Sequence, residues 1–434
     1  MADTQPPMEH EDSIDSQDPN HNEKTKEKSR RPANTAFRQQ RLKAWQPILT
    51  PKTVLPLFFA IGIIFAPIGG GLLYASAVVQ ELVMDYSNCN TDAPLWPTFG
   101  PMPSGSTISH FTKNSTQTIK YDDPTWSRNI TTFVNKAGKN TNTTECYLQF
   151  GVPNTMKAPV LFYYKLTNFY QNHRRYAKSF NSDQLAGKAV DAKTVGSSDC
   201  SPLTTTVNAD NVTVPYYPCG LAANSLFNDT FTNITLLTVP ATQEGVATPD
   251  SQEYNMTNKG ISWSSDKALY GASQYDWSKV AVPPNWADTY GDTYTNDSHP
   301  DLVNDEEFQV WMRLAGLPTF SKLALRNDTT DMISGLYQVT IQSNFKVTEY
   351  GGTKAVVLST RTVMGGKNPF LGIAYIVVGG ICIVLGVLFT VTHLIRPRKL
   401  GDHTYLSWNN ENPHAGGGAT TSGRDGVLAG EGRA

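Results

Sequence analysis

Two uninterrupted apolar runs stand out from an otherwise polar chain. The first, residues 54–79, reads VLPLFFAIGIIFAPIGGGLLYASAVV and carries no charge. The second, residues 370–395, has His393 near its end as its only ionisable group. A helix needs about 20 apolar residues to cross a hydrocarbon core, and both runs exceed that length. The first also begins too far into the chain for a cleaved signal peptide, so it reads as a retained anchor. Between the runs, short segments rich in β-branched and aromatic residues are bounded by Gly, Asn, Asp and Pro. They predict strands at VLFYYKL (160–166), NITLLTV (233–239), GLYQVTIQSNF (335–345), KVTEY (346–350) and KAVVLSTRTV (354–363). Residues 350–353, Tyr-Gly-Gly-Thr, are the candidate hairpin turn between the last two. Helical periodicity is weaker and confined to 306–314 and to the residues around 176–185. The expected fold class is a membrane protein with two transmembrane α-helices and a large antiparallel β-rich ectodomain.

Charge orients this arrangement. Arg30, Arg31, Arg38, Arg41, Lys43 and Lys52 precede the first run, whereas Glu81 and Asp85 follow it. Arg396, Arg398 and Lys399 follow the second run, against Arg361 and Lys367 before it. Lysine and arginine favour the cytosolic side, so both termini are expected there and residues 80–369 on the luminal or extracellular side. Nine N-x-[ST] sequons fall between the two runs and none outside: Asn114, Asn129, Asn142, Asn211, Asn228, Asn233, Asn255, Asn296 and Asn327. Such acceptors are used only on the luminal side and on exposed loops, so their confinement marks an N-glycosylated ectodomain. Cys89, Cys146, Cys200 and Cys219 lie in the same interval, with Cys382 alone in the second run. Four luminal cysteines suit two disulfides with three possible connectivities, of which sequential pairing is the expectation adopted. No C-x-x-C and no paired histidines suggest a metal site.

The rest divides into a disordered cytosolic tail (1–29), a basic juxtamembrane arm (30–53), and a mostly disordered Gly-rich cytosolic tail (396–434). The arm interleaves Phe37, Leu42 and Trp45 with Arg38 and Arg41. It can lie along anionic headgroups or dock on a partner's cytosolic face. In the first run, Ala66/Gly70 and Gly71/Ala75 recur four apart, which would let another helix, or the second span itself, approach closely. Pro67 should bend that helix. Asn368 and Pro369 read as the N-cap and first turn of the second.

Chemistry is sparse. The ectodomain holds only His110, His173 and His299, and no nucleophile elbow, zincin pair or phosphate loop. Asp305, Glu306 and Glu307 read as residues answering a helix dipole rather than as an acid–base pair. Asn172, His173, Arg174 and Arg175 form a polar, cationic cluster, read first as an internal salt-bridge and hydrogen-bond site and second as a contact for a partner loop or lipid headgroup. Neither span has a charge in its middle, which argues against an ion path of its own. A formal net charge of −2 gives no basic footprint, so no nucleic-acid partner and no cofactor are expected.

Six ordered blocks carry a resemblance. They are RRPANTAFRQQRLKAWQPILTPKTVLP, NFYQNHRRYAKSF, YYPCGLAANSLFNDTF, KGISWSSDKALYG, EEFQVWMRLAGLPTFSKL and GGKNPFLGIAYIVVGG. Together they resemble the Cdc-fifty/ligand-effect-modulator family, most closely its fungal members, over about residues 30–408. That family supplies the non-catalytic β subunits of type-IV P-type ATPases, the phospholipid flippases. The resemblance implies a heterodimer with a catalytic α subunit that moves phospholipids from the luminal to the cytosolic leaflet. It implies a role in the exit of that subunit from the endoplasmic reticulum, towards Golgi, endosome or plasma membrane. It also implies disulfides Cys89–Cys146 and Cys200–Cys219, and no catalytic residue in this chain. Candidate partner-binding residues are Phe37, Arg38, Arg41, Leu42, Trp45, Gly71, Ala75, His173, Arg174 and Arg175. The longer Asn/Thr-rich region at 100–145 departs from the family pattern. The rival expectations are a membrane-anchored adhesion or receptor glycoprotein and, further off, an ectoenzyme; neither accounts for the cytosolic blocks.

Overall fold

The computed structural model describes residues 35–42, 50–111, 122–136, 138–208, 210–238, 252–362 and 365–397. Residues 55–396 form one compact unit and the segments outside it a second. The two apolar runs fold as helices Pro51–Val78 and Phe370–Ile395, both long and apolar enough to cross a membrane. The first continues as helix through Pro56 and Pro67. The second begins one residue after the expected proline, and Asn368 Oδ1 accepts from the Phe370 N–H at 3.1 Å.

Among the described residues the chain makes fourteen short strands. They are β1 (Glu81–Asp85), β2 (Gly100–Pro101), β3 (Thr107–His110), β4 (Thr125–Val134), β5 (Asn140–Val152), β6 (Val160–Leu166), β7 (Thr205–Val207), β8 (Thr213–Pro215), β9 (Thr230–Phe231), β10 (Ile234–Thr238), β11 (Gln252–Tyr254), β12 (Phe320–Asn327), β13 (Gly335–Ser343) and β14 (Lys354–Thr360). One sheet has the order β12-β6-β14-β1-β3; the other runs β11-β10-β13-β5-β4-β2, with β9 also on β13. The named strand pairs are antiparallel throughout.

Alternation explains how the sheets meet. Side chains two apart along a strand share a face. Leu148, Phe150 and Val152 of β5 and Tyr337, Val339 and Ile341 of β13 therefore point one way. They pack in a single buried cluster with Leu82 and Met84 of β1, Phe162 and Tyr164 of β6, and Val356 and Leu358 of β14. The result is a two-sheet sandwich. All seven residues of β14 are buried because it lies in the middle of its sheet. A second, aromatic cluster of Tyr217, Trp286, Tyr290, Tyr294 and Phe308 fills the lobe made by the long connections.

Three expectations need correction. KVTEY is not a strand; its last three residues form a 3-10 turn, Thr348–Tyr350. Residues 350–353 do not close a hairpin either, since β13 and β14 lie in different sheets. There β14 pairs with β1 and β6, so the chain crosses from one sheet to the other, turning at Gly351 with φ +66°. The helix expected around 176–185 is two short ones, Arg174–Lys178 and Ser182–Leu185, broken where Asn181 caps the second through the Gln184 N–H. The β4–β5 hairpin was not anticipated. Its loop end is polar and threonine-rich, and only β5 shows a long buried–exposed alternation.

Register fixes the sheet's orientation relative to the spans. β1 starts at Glu81, shortly after the first helix ends at Val78, and pairs Glu81 with Ser359. Thr360 opposes Val160, and Val160 opposes Asn327, so these residues mark the membrane end. Lys354, Leu166 and Phe320 mark the far end, about 20 Å away at the usual rise per strand residue.

Candidate partner-binding surfaces

The described part of the arm, residues 35–42, turns at 36–40, with the Arg41 N–H donating to Ala36 O at 2.7 Å. Phe37 is 76% exposed and Leu42 62%, and Arg38 and Arg41 are exposed beside them. Trp45 lies outside the described residues. Large apolar side chains held in water beside cations cost free energy unless something covers them.

The spans pack on each other through small residues at seven-residue spacing. Gly62, Gly69 and Ser76 are buried on the first helix, and Gly372, Gly379 and Gly386 on the second. A Cβ built on Gly62 would collide with Ile383 Cγ1, and one on Gly69 would lie 2.9 Å from Gly372 O. Phe65 and Tyr375 stack beside the seam with ring centroids 4.9 Å apart. Gly70 and Gly71 have nothing within 4 Å of a built Cβ. Of the two small-residue pairs read from sequence, Ala66 borders the seam, its N 3.1 Å from the Cβ position of Gly379, whereas Gly71 faces away. Ala75 is half-buried. Self-packing of the spans therefore leaves a glycine-bearing strip open on the first helix.

Of the salt-bridge and hydrogen-bond site expected first, Asn172 makes its hydrogen bond, with Nδ2 donating to Gly316 O at 2.9 Å, but His173, Arg174 and Arg175 make no salt bridge among the described residues. All three are exposed. They follow Leu166 at the end of β6 away from the spans.

Titratable groups elsewhere are committed to structure. Asp305 Oδ1 accepts from the Phe308 N–H at 2.9 Å and caps the helix Glu306–Met312; burial raises its carboxyl. Burial opposes ionisation of Glu306 as well. Yet the Lys267 ammonium at 2.6 Å and the Ser262 N–H at 3.1 Å bring it down to about 2. Glu307 accepts from Asn258 Nδ2 at 3.0 Å, and burial raises its carboxyl. The three carboxylates thus go separate ways. His299 lies against Trp277 at 4.4 Å between centroids, away from His110 on β3. Among the described residues no group of three or more His, Cys, Asp or Glu side chains comes together.

The Glu306 contact predicts a pH dependence. Its folded value lies below the ordinary 4.5, so its stabilisation is complete above about 4.5 and is lost as pH falls towards 2. Pepsin cleavage within 259–271, the segment carrying Lys267, is expected to rise over that window. In Glu306→Gln it is expected to be high at every pH; equal protection in the two proteins would refute the contact's role.

Two disulfides staple the ectodomain, Cys89–Cys146 and Cys200–Cys219, with Cα separations of 6.2 and 5.7 Å. The first ties the turn after β1 to β5, and the second packs with Val195 beneath the β7–β8 hairpin. Closing a loop of 19 residues restricts the unfolded chain by about 3 kcal/mol. Replacing Cys200 and Cys219 by alanine is expected to lower the unfolding free energy by that amount, read from denaturant midpoints of the purified protein. No change would mean that hydrogen bonds such as Cys219 N–H to Gln184 Oε1, at 3.0 Å, hold this lobe alone.

Sequence reasoning missed a buried ion pair. Lys354 Nζ contacts Asp229 Oδ2 at 2.7 Å, Phe345 O at 2.7 Å and Ser343 Oγ at 3.0 Å, with side-chain exposures of 2% and 0% for the pair. The signal was a lysine opening the apolar run KAVVLS. The sequons are spread widely. Asn129 and Asn142 lie on β4 and β5, Asn211 on the β7–β8 connection, and Asn233 and Asn255 beside β10 and β11. Asn228 precedes the buried Asp229, Asn296 is exposed in a loop, Asn327 ends β12, and Asn114 lies outside the described residues.

Comparison with known proteins places this architecture. Residues 72–399 match the LEM3 (ligand-effect modulator 3) family / CDC50 family. A Chaetomium thermophilum protein named phospholipid-transporting ATPase accessory subunit CDC50 is 44% identical over 392 residues, 89% of this chain and 93% of its own length. A Saccharomyces cerevisiae accessory subunit of the same description, CRF1, is 42% identical over 387 residues, 88% of this chain and 90% of its own. Cell cycle control protein 50A of Bos taurus is 36% identical over 382 residues, covering 85% and 91%. With two apolar helices flanking a disulfide-stapled β-sandwich, and with a family match over residues 72–399, the chain belongs to the LEM3/CDC50 family.

Proposed function

We propose that this chain is the non-catalytic β subunit of a type-IV P-type ATPase. It pairs with a catalytic α subunit, accompanies it out of the endoplasmic reticulum towards Golgi, endosome or plasma membrane, and supports ATP-driven transfer of phospholipid to the cytosolic leaflet. The observation that carries this reading is the near full-length match to fungal accessory subunits of phospholipid-transporting ATPases. Two surfaces support it physically: an arm with exposed Phe37 and Leu42, and a first span whose Gly70 and Gly71 remain open after the spans have packed. Both termini lie in the cytosol in this reading, and the ectodomain carries N-glycans. Contacts of this kind can alter the partner's cycle only where they differ between its conformations.

The test is co-purification in mild detergent with readout of acyl-phosphate on the large subunit. Phe37→Ala, Leu42→Ala and Trp45→Ala together are expected to reduce recovered partner about 10-fold or more, as loss of buried aromatic anchors does. Undiminished recovery and turnover would remove the arm from the interface. A glycosylated chain that purifies alone and reaches the cell surface would favour the adhesion or receptor alternative.

A further inference from the structure

Residues 94–96 run beside β4 in parallel. Leu95 bridges to Arg128, the Trp96 N–H donates to Arg128 O at 2.8 Å, and the Arg128 N–H donates to Pro94 O at 2.8 Å. This register makes Trp96 the lateral neighbour of Asn129, about 5 Å away from strand to strand. On the other side of β4, Asn129 opposes Glu145 and Ser127 opposes Tyr147 of β5. Opposed residues share a face, so Asn129, Ser127 and Tyr147 stand on one surface. The ring contacts put Trp96 on the same surface. It lies 5.0 Å from Tyr147 and 5.7 Å from Phe99 between centroids, and Ser127 beneath is small and fully buried. The Asn129 side chain lies beside the Tyr147 hydroxyl, which donates to Glu145 Oε2 at 2.7 Å.

This aromatic platform is open, with Trp96 48% exposed, and the asparagine at its edge begins the sequon Asn129-Ile130-Thr131. A pyranose ring carries hydroxyls around its rim and C–H groups on its faces. Such a face stacks on an aromatic ring through dispersion and weak C–H contacts. Trp and Tyr suit this because they offer broad, stiff surfaces with few rotamers to lose. Trp96 is already held by its backbone bonds and by two rings, so covering it costs little further ordering. Asn142 is the contrast. It opposes Thr132 on the other face of the hairpin, where Thr132 Oγ1 donates to its Oδ1 at 2.9 Å.

We propose that Asn129 carries an N-glycan whose first N-acetylglucosamine lies on the Trp96–Tyr147 platform. This rests on the reading of the ectodomain as luminal and glycosylated. The sugar donor is a lipid diphosphate oligosaccharide. The bond from Asn129 Nδ2 to the anomeric carbon forms, the bond from that carbon to the phosphate oxygen breaks with its electron pair, and one amide proton leaves. The bound sugar then shields the exposed indole, and the glycan keeps other chains off this face of the hairpin.

The protein is produced in a glycosylating eukaryotic host and purified both alone and in complex with its large subunit. Peptide mass mapping reads the occupancy of Asn129 and the hydroxyl-radical oxidation of Trp96. Asn129 is expected to be occupied. Trp96 is expected to oxidise several-fold faster in Thr131→Ala, which removes the sequon but keeps the asparagine. Enzymatic release of glycans from the folded wild-type protein should give the same increase, whatever the variant does to folding. Trimming to a single N-acetylglucosamine should leave Trp96 shielded, and Asn142→Gln should change nothing there. Unmodified Asn129, or equal oxidation of Trp96 with and without the glycan, would overturn the proposal. Glycans found only at other sequons would do so while leaving the luminal reading intact. Shielding that appears only in the complex and survives glycan release would give the platform to the large subunit instead.

Discussion

Replacing Asp229 by alanine is expected to destabilise the ectodomain by about 3–5 kcal/mol. Asp229 sits at the centre of the sandwich, where its carboxylate meets Lys354 Nζ and the Tyr86 hydroxyl, at 2.7 and 2.8 Å. Its other oxygen accepts from the N–H groups of Asn344 and Phe345 at 2.5 and 2.6 Å. The alanine variant leaves a buried ammonium, two backbone N–H groups and a phenol without their acceptor. Removing one partner of a buried pair costs about 3–5 kcal/mol, a large share of the 5–15 kcal/mol that holds a domain together. Burial already pushes the Lys354 ammonium down, and Asp229 is what opposes that shift. Measured by denaturant unfolding of the purified chain, Asp229→Ala and Lys354→Ala should each lose that amount. The double change Asp229→Leu with Lys354→Met should lose much less, because apolar replacement of a whole buried pair is often neutral. A double variant as unstable as either single would mean that the backbone contacts of Asp229, not its charge, are what matter.

Gly62→Leu is expected to separate the spans. Its Cβ would fall against Ile383 and Gly379 O, where backbone rather than a flexible side-chain end limits the relief. Overpacking costs about 1–3 kcal/mol in a core that can adjust, and a helix pair in lipid has only close packing to hold it. Gly71→Leu, nine residues on, meets nothing in this chain and should leave span pairing intact. Thiol crosslinking between cysteines placed at Phe65 and Tyr375, whose rings meet across the seam, reads the pairing directly. Crosslinking should fall several-fold in Gly62→Leu and stay at the wild-type level in Gly71→Leu, while recovery of the large subunit falls in both. Unchanged recovery in Gly71→Leu would take that strip out of the proposed interface.

The apolar runs and four of the fourteen strands were legible because their signals are local. Length settles a span, and β-branched and aromatic runs bounded by turn residues located β6, β10, β13 and β14. KVTEY failed because its alternation is real but its neighbours in space are not a sheet; no residue within 346–350 reports where β14 finds its partners. The β4–β5 hairpin hid behind threonines that serve a half-exposed strand as well as a loop. Of the candidate surfaces, the exposure of Phe37 and Leu42 agrees with a docking arm, but sequence did not separate Gly69 from Gly70. Adjacent glycines face different ways by about 100° on a helix, and only the phase of the second span decides which is used. Lys354–Asp229 was hidden for the same reason: 125 residues separate the partners.

One junction has a mechanical consequence. Only Val79 and Gln80 separate the first helix from β1, Val79 is buried, and the Gln80 N–H donates to Thr360 Oγ1 at 3.0 Å. Two residues span at most about 7 Å and leave little slack. Any tilt of the span must swing the sheet with it, as a mast carries its sail. The distal end of the sheet, some 20 Å out, then sweeps through several ångströms for a tilt of about 15°, which turns a small rearrangement of the span into a large displacement at the far side of the sandwich.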